Sequence, residues 1–485
     1  MIRDEHSTGF PHGRRYGEIL GLSTRSPATL FGSPRCKAGR PQPRGASRSH
    51  VCQDGSVNVS IWQEENGMQL KTILNRVQKH KSFLYGKVRW RETDNDRLEL
   101  EVAIYPRANG RPKCSGCQRP RPGYDTLPTR RFEFVPLWGI AVFFHYALRR
   151  VNCPTCGILV EVVPWATGKR RLTDTYAWFL ATWAKRLSWT EVARAFHTCW
   201  ENVYRSVEMA VTWGRARVNL TGVTAIGIDE IQWQRGHHYL TLVYQIDGQC
   251  KRLLWIGEHR KVKTFLRFFR WLGKERTIAL RFLCSDMWQP YLKVVAKKAA
   301  RAIHILDRFH IMAHLSKAID EVRAQEARNL KDNGYEPVLK KTRWLLLKRP
   351  ENLTEKQGSR LAELLQYNLR TVRAYLLKED FQFFWDYVSP YWAGKFLDRW
   401  CTRTMRSRLE PMKKVARTLR RYRPLIMNWF RAKGAFSNGL VEGFNTKVKL
   451  TTRKAYGFAS FKTIETALYH VLGALPEPNF THRFC

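Results

Sequence analysis

The spacing of hydrophobic residues changes along the chain and predicts several consecutive regions. From about residue 68 to 165, short alternating segments such as 98–104 and 130–135 predict β-strands, whereas residues 170–217 carry apolar positions at helical spacing. Residues 311–435 predict long basic helices without a strand. The pattern is therefore typical of a multi-domain α/β protein.

The central part of the chain alternates between short buried strands and helices. The order is three strands, helix, strand, helix and strand, with the helices over residues 263–272 and 290–299. The predicted strands are 223–228, 239–246, 252–256, 278–284 and 302–306. Further along, a glycine-containing turn at 437–439 begins a final predicted helix.

Charge and composition restrict the classes of function that this protein can have. Lys and Arg number 84 against 41 Asp and Glu in 485 residues, a formal net charge of +43. The cations are spread through the folded region, so we expect nucleic acid as the neutralising partner. No run of about 18 uncharged apolar residues is present in the sequence, which argues against a membrane span. Eleven scattered cysteines and no apolar N-terminal signal core indicate a reducing cytoplasm.

Four cysteines form two CxxC pairs, Cys114 with Cys117 and Cys153 with Cys156. Two thiolates at this spacing can bind one tetrahedral Zn²⁺, and a second pair completes its coordination. The alternatives are two reduced pairs without metal, or a redox CxxC, which does not account for two copies. We expect one structural Zn²⁺, because nothing indicates an open coordination position.

The spacing of apolar residues over 187–207 is typical of a helix-turn-helix. The residues expected in its core are Val192, Ala193, Phe196, Trp200, Val203 and Val207. The residues expected to point outward, toward a DNA groove, are Glu201, Asn202 and Arg205. An ordinary helical hairpin is the alternative, because the turn contains His-Thr-Cys where glycine is common.

Asp229, Asp286 and Asp307 each follow a predicted buried strand. A carboxylate at a strand end projects from a rigid edge, where acids from adjacent strands can share metal ions. Mg²⁺ prefers hard oxygen ligands, and two ions about 4 Å apart can activate an attacking hydroxyl and stabilise a leaving oxygen. A single strand-end aspartate is more often a turn former or helix cap, but three in one short region favour a metal site.

Residues 437–449 supply a further acid, Glu442, as a candidate metal ligand. The residues that share one helical face by steps of three and four are Asn438, Glu442, Asn445 and Lys449. The residues expected to contact DNA here are Asn438, Asn445, Lys447 and Lys449. A solvated helix face is the alternative, although it has no need for two glycines and two asparagines in so short a span.

These motifs together resemble the DDE transposases of bacterial insertion sequences, in particular the ISL-three family, from about residue 68 to about residue 461. The segments that carry the resemblance are GIDE (227–230), HYLT (238–241), DMWQPY (286–291), DRFH (307–310), SNGLVEGFN (437–445) and RKAYGF (453–458). The resemblance implies a ribonuclease-H-like mixed sheet with a large helical insertion, preceded by a zinc-binding module and a helix-turn-helix. It implies that Asp229, Asp286 and Glu442 are the catalytic acids and bind two Mg²⁺ or Mn²⁺ ions. Asp307 stays open as the alternative second acid.

The implied reaction cuts double-stranded DNA at terminal inverted repeats and joins the freed 3′-hydroxyl ends to target DNA, without a covalent enzyme intermediate. Such enzymes usually work as homo-oligomers on paired ends. Two alternatives stay open: a non-catalytic zinc and helix-turn-helix regulator derived from a transposase, and a structure-directed nuclease of the same fold. Intact acids at all three places argue against the regulator.

Six consecutive regions are therefore expected. They are a disordered basic extension (1–67), a zinc-binding N-terminal module (68–168), a helix-turn-helix DNA-binding region (169–220), the first part of the catalytic core (221–319), a helical insertion (320–435) and a C-terminal catalytic helix with its tail (436–485). The extension is rich in Gly, Pro, Ser and Arg with little apolar periodicity. Two hypotheses stay open for it: a native basic tail, or an over-extended reading frame upstream of a start at Met68.

Overall fold

The computed structural model describes residues 69–94, 97–248, 250–432 and 439–479, so the predicted extension over 1–67 lies outside the described residues. The strands are β1 (Phe83–Glu92), β2 (Leu98–Pro106), β3 (Gly123–Leu137), β4 (Ile140–Cys153), β5 (Gly157–Val160), β6 (Ala225–Gln234), β7 (His238–Gln245), β8 (Arg252–Glu258), β9 (Phe282–Ser285) and β10 (Ile303–Leu306). The helices are α1 (Leu70–Val77), α2 (Asp174–Ala184), α3 (Trp189–Ala195), α4 (Trp200–Arg215), α5 (Val262–Leu272), α6 (Lys274–Ala279), α7 (Gln289–Lys298), α8 (Arg308–Asp332), α9 (Arg343–Leu347), α10 (Glu355–Leu365), α11 (Arg370–Gln382), α12 (Pro390–Arg406), α13 (Glu410–Arg421), α14 (Arg423–Ile426), α15 (Asn428–Arg431), α16 (Gly439–Lys454) and α17 (Phe461–Leu472). The predicted mixed α/β character is confirmed.

The first sheet contains β1 to β5, in the order β1-β2-β4-β3 with β5 paired to the end of β4. Alternate residues of β4 are buried, as expected when one face of a sheet covers a core. Phe144 and Tyr146 of this strand lie in the core, where the ring of Trp165 packs edge-on against Tyr146 with their centroids 5.2 Å apart. The strands predicted at 98–104 and 130–135 lie within β2 and β3.

Helices α2 to α4 follow the first sheet. Ser188 caps α3, and the Glu191 side chain accepts a hydrogen bond from the Ser188 backbone N–H, so this capping box sets where the helix begins. The buried side chains of α3 and α4 include Val192, Ala193, Val203 and Val207, as the sequence predicts.

The prediction that Trp200 belongs to this core is wrong. Its side chain is 43% exposed, and its ring stacks on Tyr204 with a centroid distance of 5.4 Å. Helical spacing placed it on the same face as Val203, but the neighbouring ring of Trp189 in α3, with its centroid 5.6 Å away, covers Trp200 only in part.

The second sheet has the strand order β10-β9-β6-β7-β8. Strands β6, β9 and β10 are parallel, whereas β7 is antiparallel to both β6 and β8. One face packs against α5 and α7 through Phe265, Phe268 and Tyr291. The other face packs against α16 and α17, where Val441 and Leu468 are fully buried. Helices therefore cover both faces.

Two boundaries in this region differ from the prediction. Residues 274–279 form α6, so the strand expected from residue 278 begins at Phe282. Strand β6 continues past Asp229 to Gln234, because residues 230–234 pair with the start of β7. Asp229 therefore lies inside a strand and not at its end.

Helices α8 to α15 form a core of their own around Ile311, Leu315, Phe381 and Trp400. Residues 311–432 are fully described and contain no strand, as predicted. The sequence predicts one final helix, but α16 is followed by α17. No helix of the described residues is long and apolar enough to cross a membrane.

Candidate active site

Three aspartates lie at the same level of three neighbouring parallel strands. Gly227 of β6 is paired with Cys284 of β9, so Asp229 and Asp286 each stand two residues beyond that pair. Ser285 of β9 is paired with Leu306 of β10, so Asp286 and Asp307 each stand one residue beyond that pair. The register of the sheet therefore collects these three acids at one edge.

Asp229 is held from two directions. Its Oδ1 accepts a hydrogen bond from the Glu230 backbone N–H at 2.8 Å, and its Oδ2 accepts one from the Asn445 side-chain amide. The Tyr244 hydroxyl donates to Asn445 Oδ1 at 3.0 Å. The side chain of Asn445, one of the residues expected to contact DNA, is buried and orients Asp229.

Asp286 is paired with Arg260, a residue that no motif in the sequence indicates. Arg260 Nη2 lies 2.8 Å from Asp286 Oδ2, and Arg260 Nε lies 3.6 Å from Glu230 Oε2. The guanidinium also lies over the Trp288 ring, 4.6 Å from its centroid. Arg260 lies two residues after the end of β8, and only the folding of the sheet brings it beside an acid 26 residues away.

Asp307 has a structural role in the described chain. Its Oδ1 accepts a hydrogen bond from the Phe309 backbone N–H at 2.8 Å and caps α8. Its side chain is 2% exposed, against 13% for Asp286. His310 Nε2 lies 3.5 Å from Asp307 Oδ2 and 3.9 Å from Asp229 Oδ1, so this imidazole stands between the two acids.

Glu442 lies in the first turn of α16, and its side chain is exposed. Helix α16 packs closely on β6 at Gly227, where an added Cβ would lie 2.5 Å from Val441 Cγ2. Phe444 stacks on Tyr244 with a centroid distance of 4.8 Å. The absence of a side chain at residue 227 therefore lets the helix bring Glu442 to the same edge as the aspartates.

The acids act on one another electrostatically. Burial and, to a smaller extent, repulsion from Asp286 raise the pKa of Asp229. The hydrogen bonds that its carboxylate accepts lower this pKa, but the net shift is upward. Burial, then repulsion from Asp307 and Asp229, raises the pKa of Glu442. Burial and repulsion from Asp286 raise the pKa of Glu230 to about 8. Such mutual repulsion is the condition that a bound cation relieves.

The four predicted zinc ligands lie together. Their Sγ atoms all lie within 4.8 Å of one another, and they are the only His, Cys, Asp or Glu group of three or more at this spacing among the described residues. Cys117 Sγ and Cys153 Sγ are 3.7 Å apart, close to the roughly 3.8 Å expected for two thiolates that share a tetrahedral Zn²⁺ with bonds of about 2.3 Å. A Cβ at Gly116 would lie 2.9 Å from Cys156 Sγ, so glycine permits this approach. The cluster fits one Zn²⁺.

The other predicted DNA-contacting residues have mixed environments. Arg205 is ion-paired with Glu201 at 2.8 Å on the exposed side of α4. The Asn202 side chain donates to Thr198 Oγ1 at 2.9 Å. Lys447 and Lys449 are exposed on α16, and Asn438 lies outside the described residues.

Comparisons with known proteins also indicate a transposase. A model of the ISL-three family of DDE transposases, described as a transposase, matches residues 226–468. The transposases for insertion sequence element IS1557 of two Mycobacterium tuberculosis strains, CDC 1551 and H37Rv, are each 30% identical over an alignment of 432 residues that covers 83% of this chain and 93% of the relative. The transposase for insertion sequence element IS1001 of Bordetella parapertussis is 28% identical over 378 residues, which is 77% of this chain and 92% of the relative. The chain therefore belongs to the ISL-three family of DDE transposases.

Proposed function

We propose that this chain binds the ends of an insertion sequence, cuts the DNA there and joins the freed 3′-hydroxyl ends to target DNA. The observation that carries this proposal is the collection of Asp229, Asp286 and Glu442 at one edge of the second sheet. The first strand of that sheet lies between the second and the fourth, and Asp286 follows the fourth. This order supports a ribonuclease-H-like catalytic core.

The donor set fits divalent metal ions. Carboxylate oxygens are the hard ligands that Mg²⁺ and Mn²⁺ prefer, and the acids repel one another in the absence of a cation. Asp229, Asp286 and Glu442 would hold two such ions. When bound, the ions would activate the attacking hydroxyl and stabilise the leaving oxygen of the phosphodiester.

The chain's own residues prepare these acids for that role. The Asn445 amide and the Glu230 backbone N–H fix both oxygens of Asp229, so its carboxylate is oriented before any substrate binds. Arg260 holds Asp286 in an ion pair, which a bound cation would have to displace. Asp307 already caps α8 and is almost fully enclosed, which supports Asp286 as the second acid.

The preceding regions are proposed to recognise the DNA ends. Cys114, Cys117, Cys153 and Cys156 would hold one structural Zn²⁺, and α3 with α4 would form the helix-turn-helix. The proposed boundaries are those expected from the sequence, with the helical insertion between the two parts of the catalytic core. The basic helices of that insertion would contact the DNA backbone, and copies of the chain would pair the two ends.

The proposal is tested with the purified full chain, Mg²⁺ and a plasmid that carries both ends of the element. Cut and joined products are expected from the wild type. Asp229→Asn, Asp286→Asn and Glu442→Gln should lose both products and still bind the ends. Asp398→Asn is the matched control, because this half-exposed acid of α12 pairs with Arg423 away from the site.

The outcomes separate the alternatives. Cut products without joined ones indicate a nuclease, and end binding without cutting in the wild type indicates a regulator. Asp307→Asn should keep cutting, since asparagine also caps helices. If Asp307→Asn abolishes cutting and Asp286→Asn does not, Asp307 is the second acid.

A further inference from the structure

A cavity of about 800 Å³ lies between α3, α16 and α17, and the proposed chemistry does not use it. This volume is within the usual range of sites for small ligands, roughly 300–1,000 Å³. Its cationic lining residues are Arg194, Lys447, Arg453 and Lys454, together with Lys185, which is ion-paired with Glu477. Glu191 is the one acid among the lining residues, and its carboxylate is engaged with the Ser188 backbone N–H at 2.7 Å. The cavity therefore favours an anionic ligand.

Aromatic rings form a second part of the lining: Trp189, Trp200, Tyr456 and Phe458. The Trp189 ring centroid lies 5.6 Å from that of Trp200 and 6.2 Å from that of Phe458. The rings thus run from the start of α4 to the turn after α16. A ligand that combines a phosphate with a flat ring matches both the charges and the rings.

Tyr456 is the most unusual of these residues. The N–H groups of Tyr456 and Gly457 donate to the carbonyls of Arg453 at 3.0 Å and Thr452 at 2.9 Å, which is the Schellman ending of a helix. Tyr456 has a φ of +54° at the position where glycine is usual. Its side chain is nevertheless fully exposed, so no packing within the described chain offsets the unfavourable backbone conformation. The described chain therefore gives no packing reason for a tyrosine in this place, whereas contact with a ligand would give one.

We propose that this cavity binds an unpaired nucleotide of the DNA being cut, with its base stacked on Tyr456 and Trp200 and its phosphate near Lys447 and Arg453. The base must be unpaired because a base within a duplex has its faces covered by its neighbours. The ligand class rests on the proposed DNA-cutting function.

The position of the cavity relative to the proposed catalytic acid Glu442 agrees with a nucleotide of the DNA being cut as its ligand. Glu442 lies near the start of α16, and the cavity wall runs from Lys447 in this helix to Tyr456 in the turn after it. At 1.5 Å per helical residue, this wall lies roughly 7 to 21 Å from Glu442 along the chain. At 3.4 Å per nucleotide step, the bound nucleotide lies about two to six steps from the phosphate at Glu442.

The test measures binding of a thymidine hexamer with one central 2-aminopurine to the full chain, without metal. Tyr456→Gly should weaken binding about tenfold, the effect of losing one base-stacking contact, and should reduce the quenching of 2-aminopurine. Its melting temperature should be equal or higher, because glycine suits the left-handed position. Trp200→Ala should weaken binding similarly. Tyr335→Gly is the matched control, since Tyr335 is 66% exposed and outside the cavity.

Unchanged hexamer affinity in both cavity variants would overturn the inference, as would an equal loss in the Tyr335→Gly control. If Tyr456→Gly instead dissociates an oligomer without changing hexamer affinity, the cavity is an interface between copies of the chain and the inference is wrong. Failure of the proposed function would give a different result from failure of this inference. Metal-dependent cutting would then persist in Asp229→Asn, regardless of how the variants bind the hexamer.

Discussion

Arg260 is expected to compete with metal ions for Asp286. It is the one cation in ion-pair contact with Asp286 among the described residues, and Arg260→Gln removes its charge while keeping a side chain that can donate hydrogen bonds. Without the guanidinium, Asp286 is free to turn toward a divalent ion. The variant should therefore bind Mn²⁺ more tightly than the wild type.

The magnitude follows from the geometry of the pair. A guanidinium and a carboxylate with charge centres about 4 Å apart attract by about 4 kcal/mol at an effective dielectric constant near 20. Arg260 is about one-third exposed, and solvent-exposed pairs keep only about 1 kcal/mol, so a net value of about 1–2 kcal/mol is reasonable. At 1.4 kcal/mol per factor of ten, Mn²⁺ affinity should rise roughly tenfold. The metal-free variant should melt about 2–4 °C lower per kcal/mol lost.

The assay is a Mn²⁺ titration followed by the electron paramagnetic resonance of the free ion, together with calorimetric melting. Arg423→Gln is the control, because Arg423 forms a similar pair at 2.8 Å with Asp398, which is not one of the proposed catalytic acids. Equal or weaker Mn²⁺ binding by Arg260→Gln would refute the competition and would indicate that the arginine assists metal binding.

Three further predictions concern the scaffold. Glu161→Gln should lower the free energy of unfolding by about 3 kcal/mol in urea, because this 1%-exposed carboxylate forms an ion pair with Arg149; a loss below 1 kcal/mol contradicts this. Gly227→Ala should displace α16 and reduce cutting while end binding persists, whereas Gly358→Ala, with open space around it, should do neither. The pKa of Glu230 is about 8 in the folded chain against an ordinary 4.5, so its ionisation should lower stability as pH rises from 4.5 to 8, at up to about 1.4 kcal/mol per pH unit. Glu230→Gln should remove this slope, and an unchanged slope in calorimetry at several pH values contradicts the assignment.

Local patterns were sufficient to predict the elements that carry the acids. Asp229, Asp286 and Asp307 each follow a short apolar run, and alternation with helices placed those runs in one sheet. That the three aspartates lie at the same level of the sheet depends on strand register. Register is set by how the strands pair and not by the sequence of any one strand. The boundary at Asp229 was wrong for the same reason, since the extra residues of β6 are ordered by β7.

The residues that surround the acids could not be predicted in this way. Arg260 lies in a short link without periodicity, and its partner is fixed only by the folded sheet. Asn445 was placed on the correct helix, but its direction depends on how α16 packs at Gly227. The exposure of Trp200 likewise depends on which elements cover α4. Helical spacing predicts which residues share one face of a helix, but it does not predict which other element packs against that face.

Replacement of Asp286 by cysteine tests the catalytic assignment most directly, because a thiolate binds Mn²⁺ better than Mg²⁺. Asp286→Cys should fail to cut the element's ends with Mg²⁺ and should recover cutting with Mn²⁺, whereas Asp307→Cys should show no such exchange of metal preference. Full cutting by Asp286→Cys with Mg²⁺, or recovery with Mn²⁺ in Asp307→Cys alone, would contradict metal binding by Asp286.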